Sequence, residues 1–181
     1  MDIILIAVAA GILIFSFRNG LLLECYNCLA VLLTAFLCIH FYQSFGEYLN
    51  DRLPASLEAS SEMAAFYLIW AAAAGTTWLI GRGMTVLLKQ DDMGKTLRIS
   101  ALLPGFLKAL ALTVLIVSAA MMNAHPGIQD VLKGSAFARP VLRTASRAYT
   151  VLYERMILPV SPKEEKNQDF HNRVKEWIVD N

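Results

Sequence analysis

Glu24 and Lys108 are ionisable residues standing inside otherwise apolar stretches of the sequence. Such groups at membrane depth are costly. As a rule they face a protein interior, pair with one another and mark functional positions. One reading pairs them and so ties their two helices together. The other has each side chain reaching separately to a nearby interface. Cys25 and Cys28 form a C-x-x-C pattern, with Cys38 further along the same stretch. That pattern signals zinc or redox chemistry when a second pair or a βαβ context accompanies it. Neither does, so the cysteines read as small apolar helix residues and predict no disulfide framework. His40, beside Tyr42, reads as a lone interfacial histidine rather than a proton relay or metal ligand. No G-x-S-x-G turn, phosphate-binding loop or dinucleotide glycine motif occurs. The expectation is a protein with no catalytic residues, no cofactor and no metal, and not an enzyme.

The elements that position these residues follow from composition. Of 181 residues, 56% are hydrophobic and 17% charged, and the formal net charge is +1. The mean hydropathy is +0.49. A soluble chain of this size cannot bury so much apolar surface. Disorder, a secreted disulfide scaffold and a nucleic-acid-binding domain are excluded, and a membrane protein is implied. The charges are also segregated. Residues 63–81 hold none, residues 99–122 hold only Lys108, and the last 59 residues hold 16. A charge at mid-bilayer costs ~2.5–3.5 kcal/mol on insertion scales, so charge-free stretches mark spans.

Four transmembrane helices are predicted, at about 3–17, 21–41, 63–80 and 99–122, arranged as two hairpins in a domain covering 1–122. The first is short against the ~20 residues a span requires. It reads as a retained span and not a signal peptide, because Asp2 replaces a basic n-region and no A-x-A site follows. Gly20 supplies the tight turn after Arg18. Lys and Arg are concentrated in the first and third connections (Arg18; Arg82, Lys89, Lys95, Arg98), against Arg52 alone in the second. That bias places the first and third connections in the cytoplasm and both termini outside. The nine Lys/Arg after Met122 stand against this assignment. Small residues at 71–75, Gly81 and Gly83, and the pair Ala101 and Gly105, suit close helix packing within the chain or between copies. Pro104 is expected to kink the start of the fourth span.

Residues 123–159 form a second region. Val141, Leu142, Ala145, Ala148, Tyr149, Leu152 and Met156 fall at helical spacing, while Arg139, Arg143 and Arg147 share another face. This predicts an amphipathic helix lying on the membrane surface, its arginines near lipid phosphates. The alternative is a helix packed on the bundle with solvated arginines. Residues 160–181 form a polar tail, opening on a solvated linker at 163–166. Phe170, Val174, Trp177 and Ile178 then share one helical face. That face suits a short helix docking on a partner, or else belongs to a half-ordered tail.

These patterns resemble the colicin V production (CvpA) family of bacterial inner-membrane proteins. The resemblance rests on the acidic start at Asp2, on Phe17-Arg18-Asn19-Gly20 with Glu24 four residues on, and on the run from Arg98 through Pro104-Gly105 to Lys108. It covers about residues 1–158. Ser16, Ala101 and Ala109 stand where the family usually has glycine. The resemblance implies an accessory role in production or export of a peptide toxin, or in envelope homeostasis. It makes Glu24, Lys108, Arg18, Gly20, Arg98 and Gly105 the candidate residues. Expected partners are the lipid bilayer and either a membrane protein or further copies of the chain, with no nucleic acid. The other function consistent with the residues is a small oligomeric channel or transporter subunit using Glu24 and Lys108.

Overall fold

A computed structural model describes residues 1–18, 21–52, 61–87, 99–123, 126–160 and 166–179. Among these the elements are all helical: α1 (Asp2–Arg18), α2 (Leu21–Asn50), α3 (Ser61–Leu87), α4 (Leu102–Met122), α5 (Pro126–Lys133), α6 (Ala138–Leu152) and α7 (Gln168–Val179). A π-helical turn, Tyr153–Ile157, continues α6.

Three helices are long and apolar enough to cross a membrane: Leu21–Asn50, Ser61–Gly83 and Leu102–Met122. The first expected span, α1, has 17 residues, at the lower edge of what a hydrocarbon core requires. The second helix outruns its expected bound, ending at Asn50, and the third continues past its apolar span to Leu87. Gly20, Arg98 and the linker at 163–165 lie outside the described residues.

The bundle is built on α2, which packs against both α3 and α4, while α1 packs on the far side of α4. α3 touches α4 only slightly. The outer faces of α1 and α3 remain apolar and uncovered: Ile3, Ile14 and Phe15 on one, Trp78, Leu79 and Ile80 on the other. Among lipid tails such exposure carries no penalty, which is why these helices need no polar face.

Of the small residues expected to allow close packing, those at 71–75 are largely exposed within this chain, and a Cβ added at Gly75 or Gly83 meets nothing within 4 Å. Gly81 does pack closely, an added Cβ lying 3.2 Å from Tyr26, and Gly46 adds a contact the sequence did not point to, 3.0 Å from the Glu62 backbone. At Pro104 the expected interruption is present: Ile99 and Ser100 are helical, a turn falls at Ala101, and α4 starts at Leu102. Pro104 has no N–H to donate back to the Ser100 carbonyl, which accounts for the break. The helix proceeds from there, with Gly105 N–H donating to the Ala101 carbonyl at 3.1 Å.

The C-terminal elements fold back on the end of the bundle where α2 finishes and α3 begins. Gln129 of α5 closes the end of α4 by donating to the carbonyls of Asn123 (2.6 Å) and Met121 (3.0 Å). Asp2 reaches the α5–α6 junction, accepting from the Ser135 hydroxyl and, at 3.0 Å, from the Ala136 N–H. The predicted amphipathic helix forms as α6, but its apolar face is not offered to lipid. Leu142, Ala145 and Tyr149 are buried, and α6 packs on α4 and α7. Arg139, Arg143 and Arg147 stay on the exposed side.

The tail likewise docks on its own chain. Phe170, Val174 and Trp177 are buried. Asn167 caps α7, its side-chain oxygen accepting from the Phe170 N–H at 3.1 Å. Its amide nitrogen donates to the Ile39 carbonyl at 2.7 Å. Arg173 bridges Asp169 and Glu62, both at 2.6 Å. Burial alone would lower the Arg173 pKa, but the Asp169 and Glu62 carboxylates outweigh it and hold the guanidinium above its ordinary value.

Candidate functional site in the membrane bundle

Glu24 lies four positions into α2, and its side chain is fully buried. α4 brings Lys108 to it as an ion pair, the lysine 14% exposed. α1 contributes Ser16, whose hydroxyl stands 2.7 Å from Glu24 Oε1 and 2.8 Å from its own Ile12 carbonyl. Three helices thus meet at one carboxylate. The pairing satisfies each charge at a depth where water cannot.

Gly105 makes this meeting possible. It sits one turn before Lys108, and a Cβ there would run into the Ser16 side chain. Only a residue without a side chain lets α1 approach α4 closely enough for Ser16 to reach Glu24. Gly105→Ala is therefore expected to destabilise the bundle by ~1–3 kcal/mol through overpacking. The double change with Ser16→Gly, which removes the obstructing atoms, should recover much of that loss. Thermal unfolding in mild detergent reads both. Identical melting of Gly105→Ala and parent would show that the contact yields without cost.

Beside the ion pair opens a cleft of about 520 Å³ with α2 as its floor and α3 and α4 as its walls. Its polar part holds Tyr26, Asn27, Thr77, Arg82 and Lys108. Tyr26 donates to the Thr77 carbonyl at 2.7 Å, joining α2 to α3 there. The Arg82 guanidinium lies 4.9 Å from the Trp78 ring centre, a cation–π arrangement.

The remaining candidates are placed elsewhere. Arg18 is exposed at the end of α1. Cys25 is partly buried, Cys28 and Cys38 are buried, and none is bonded to another. Among the described residues no cluster of three His, Cys, Asp or Glu side chains is placed to hold a metal. His40 is buried against α6, its Nδ1 2.8 Å from the Tyr149 hydroxyl. The network that sequence reasoning missed is this one. Tyr149 also accepts from the Asn167 N–H at 3.0 Å, and the Tyr42 hydroxyl donates to Asp169 at 2.7 Å. Its one sequence signal was the i, i+4 pair Asp169 and Arg173, which fixes a helix face but not a partner.

An all-helical bundle with three span-capable helices and an ion pair sealed among them defines a multi-pass membrane protein. A family model described as "Colicin V production protein" matches residues 1–146, and the chain belongs to that family. The match ends inside α6, short of residue 158. No curated protein and no solved structure matches the chain. Family membership suggests an accessory role of the CvpA type.

Proposed function

We propose that the protein is a four-span inner-membrane accessory protein. It supports toxin production or export, or envelope homeostasis, without catalysis and through partners in the membrane. The carrying observation is the Ser16–Glu24–Lys108 junction. Its polar groups are engaged in holding α1, α2 and α4 together, while the outer faces of α1 and α3 remain apolar and open to neighbouring helices. In this reading the basic first and third connections face the cytoplasm, and α5 to α7 lie on the opposite side. Arg139, Arg143 and Arg147 then stand at the lipid phosphates of that leaflet.

The test is affinity purification in mild detergent with the mass of the intact complex determined. A stoichiometric complex with an unrelated membrane protein is the expected result. A clean homo-oligomer without a partner would overturn it.

The cleft beside Lys108 favours a second reading, a channel or transporter subunit whose path is completed between copies. That reading requires the charge-neutral pair Glu24→Gln and Lys108→Met to abolish reconstituted flux. An accessory scaffold would only be softened by the same pair.

A further inference from the structure

We propose that α6 lies sunk in one leaflet of the bilayer, with a second apolar face of its own against the acyl chains and its arginines reaching out to the phosphates. Height along the bundle is measured here from the Ser16–Glu24 contact. From Ser16 back to Asp2, α1 rises about 21 Å, and from Glu24 to His40, α2 rises about 24 Å. These two points hold the two ends of α6. Asp2 accepts from Ser135 and Ala136, just ahead of α6. Tyr149, near its close, meets His40. Nearly equal heights at both ends lay α6 flat, in the plane of the membrane.

The hydrocarbon boundary lies above it. Arg82 of α3 follows Gly81, which packs on Tyr26, so Arg82 stands near the level of Glu24. The first charges toward the other end, Glu47 on α2 and Glu62 on α3, lie about 30–35 Å away along the helices. Residues 25–46 and 63–81 between them carry no charge. That length matches the ~30 Å hydrocarbon core. α6 therefore sits roughly 5–10 Å inside the boundary, the depth at which amphipathic helices settle in a leaflet.

The surface of α6 suits that depth. Leu142, Ala145, Ser146 and Tyr149 face the protein and are buried. About a third of a turn to one side runs the exposed stripe of Arg139, Arg143 and Arg147. About a third of a turn to the other side, Phe137, Thr144, Ala148, Val151 and Leu152 share an exposed face. Phe137, Val151 and Leu152 are 48%, 52% and 36% exposed. Ile128 and Val131 of α5 are exposed as well. A helix packed on a bundle in water needs one apolar face. A second one beside a row of arginines fits a helix held between protein, acyl chains and phosphates. Depth selects the occupant, because acyl chains surround the bundle at that height. The inference rests on α2 and α3 crossing the bilayer, and not on the accessory role.

The test is power-saturation EPR of the nitroxide-labelled full chain in phosphatidylglycerol–phosphatidylethanolamine bilayers. Collision with oxygen, which concentrates in lipid, is compared with collision with a nickel chelate, which stays in water. The unsubstituted chain supplies the background from Cys25, Cys28 and Cys38. At Phe137→Cys and Val151→Cys, oxygen access should exceed nickel access severalfold, as at Leu33→Cys on the exposed side of α2. Arg143→Cys should show the reverse, as at Glu47→Cys, also an exposed position. Nickel access at Phe137→Cys and Val151→Cys equal to that at Glu47→Cys would overturn the proposal, placing α6 in water. Poor access to both reagents would also overturn it, assigning the face to a protein surface. Nickel access at Leu33→Cys would overturn the crossing of α2 itself, which sets that failure apart from a failure of α6 alone.

Discussion

Glu24→Ala is expected to lower the stability of the bundle by about 3–5 kcal/mol, the usual consequence of removing one partner of a buried ion pair. The loss has two parts. Lys108, 14% exposed in the pair, is left as an uncompensated charge inside an apolar span. Ser16 loses the acceptor 2.7 Å from its hydroxyl, so the tie from α1 goes as well. Lys108→Ala strands the carboxylate instead, and because Glu24 is fully buried the effect should be at least as large. The double variant Glu24→Gln with Lys108→Met removes both charges at nearly constant volume. It should lie much closer to the parent than either alanine variant, since a neutral pair has no charge to desolvate. Thermal unfolding in one detergent of the parent, Glu24→Gln, Lys108→Met and the double variant that combines them forms the double-mutant cycle. Additive losses would mean that the two groups act independently and that each reaches an interface on its own.

Phe170→Ala is expected to release the tail. Phe170 is fully buried, its ring centroid 6.2 Å from that of Tyr149 in an edge-on arrangement. Truncating a buried phenylalanine costs about 3–5 kcal/mol. α7 has 12 residues, too few to persist as a helix once undocked. The loss should therefore appear as local opening, with α1 to α4 intact. Trypsin sites at Lys166, Arg173 and Lys175 become the reporters, and cleavage should accelerate by roughly two to four orders of magnitude on the same free energy. The polar contacts to Ile39, Tyr42 and Glu62 cannot hold α7 alone, because a hydrogen bond contributes a net ~0.5–1.5 kcal/mol and a half-exposed ion pair such as Arg173–Glu62 ~1 kcal/mol or less. Unchanged trypsin resistance would show that those contacts, not the apolar face, anchor the tail.

Both predictions concern residues whose types were conspicuous in the sequence and whose partners were not. Glu24 and Lys108 stood out because the cost of a charge in lipid is so large that each exception is visible. The same cost, summed residue by residue along the chain, made the span-forming helices legible and put α2, α3 and α4 close to their expected places. It needs no knowledge of neighbours. The heptad-like spacing of Val141, Leu142, Ala145 and Tyr149 was enough to predict α6, and Phe170, Val174 and Trp177 marked α7 in the same way.

What covers each face was decided only in three dimensions. α1 and α2 are apolar all round, so no stripe in their sequences states which side meets protein and which meets lipid. Ser16 could not be matched to Gly105 before the α1–α4 crossing was known. The stripe of small residues at 71–75 looked like a packing surface and is largely exposed, because smallness permits close approach without requiring it. An amphipathic pattern specifies that an apolar face must be covered, and it is silent on the cover. For α6 the pattern left a membrane surface or the bundle as the cover, and for α7 a partner or a half-ordered tail. In the folded chain they cover one another and the end of the bundle, because an intramolecular apolar surface is available at high effective concentration. Local sequence determined which residues leave water; the tertiary structure determined what they leave it for.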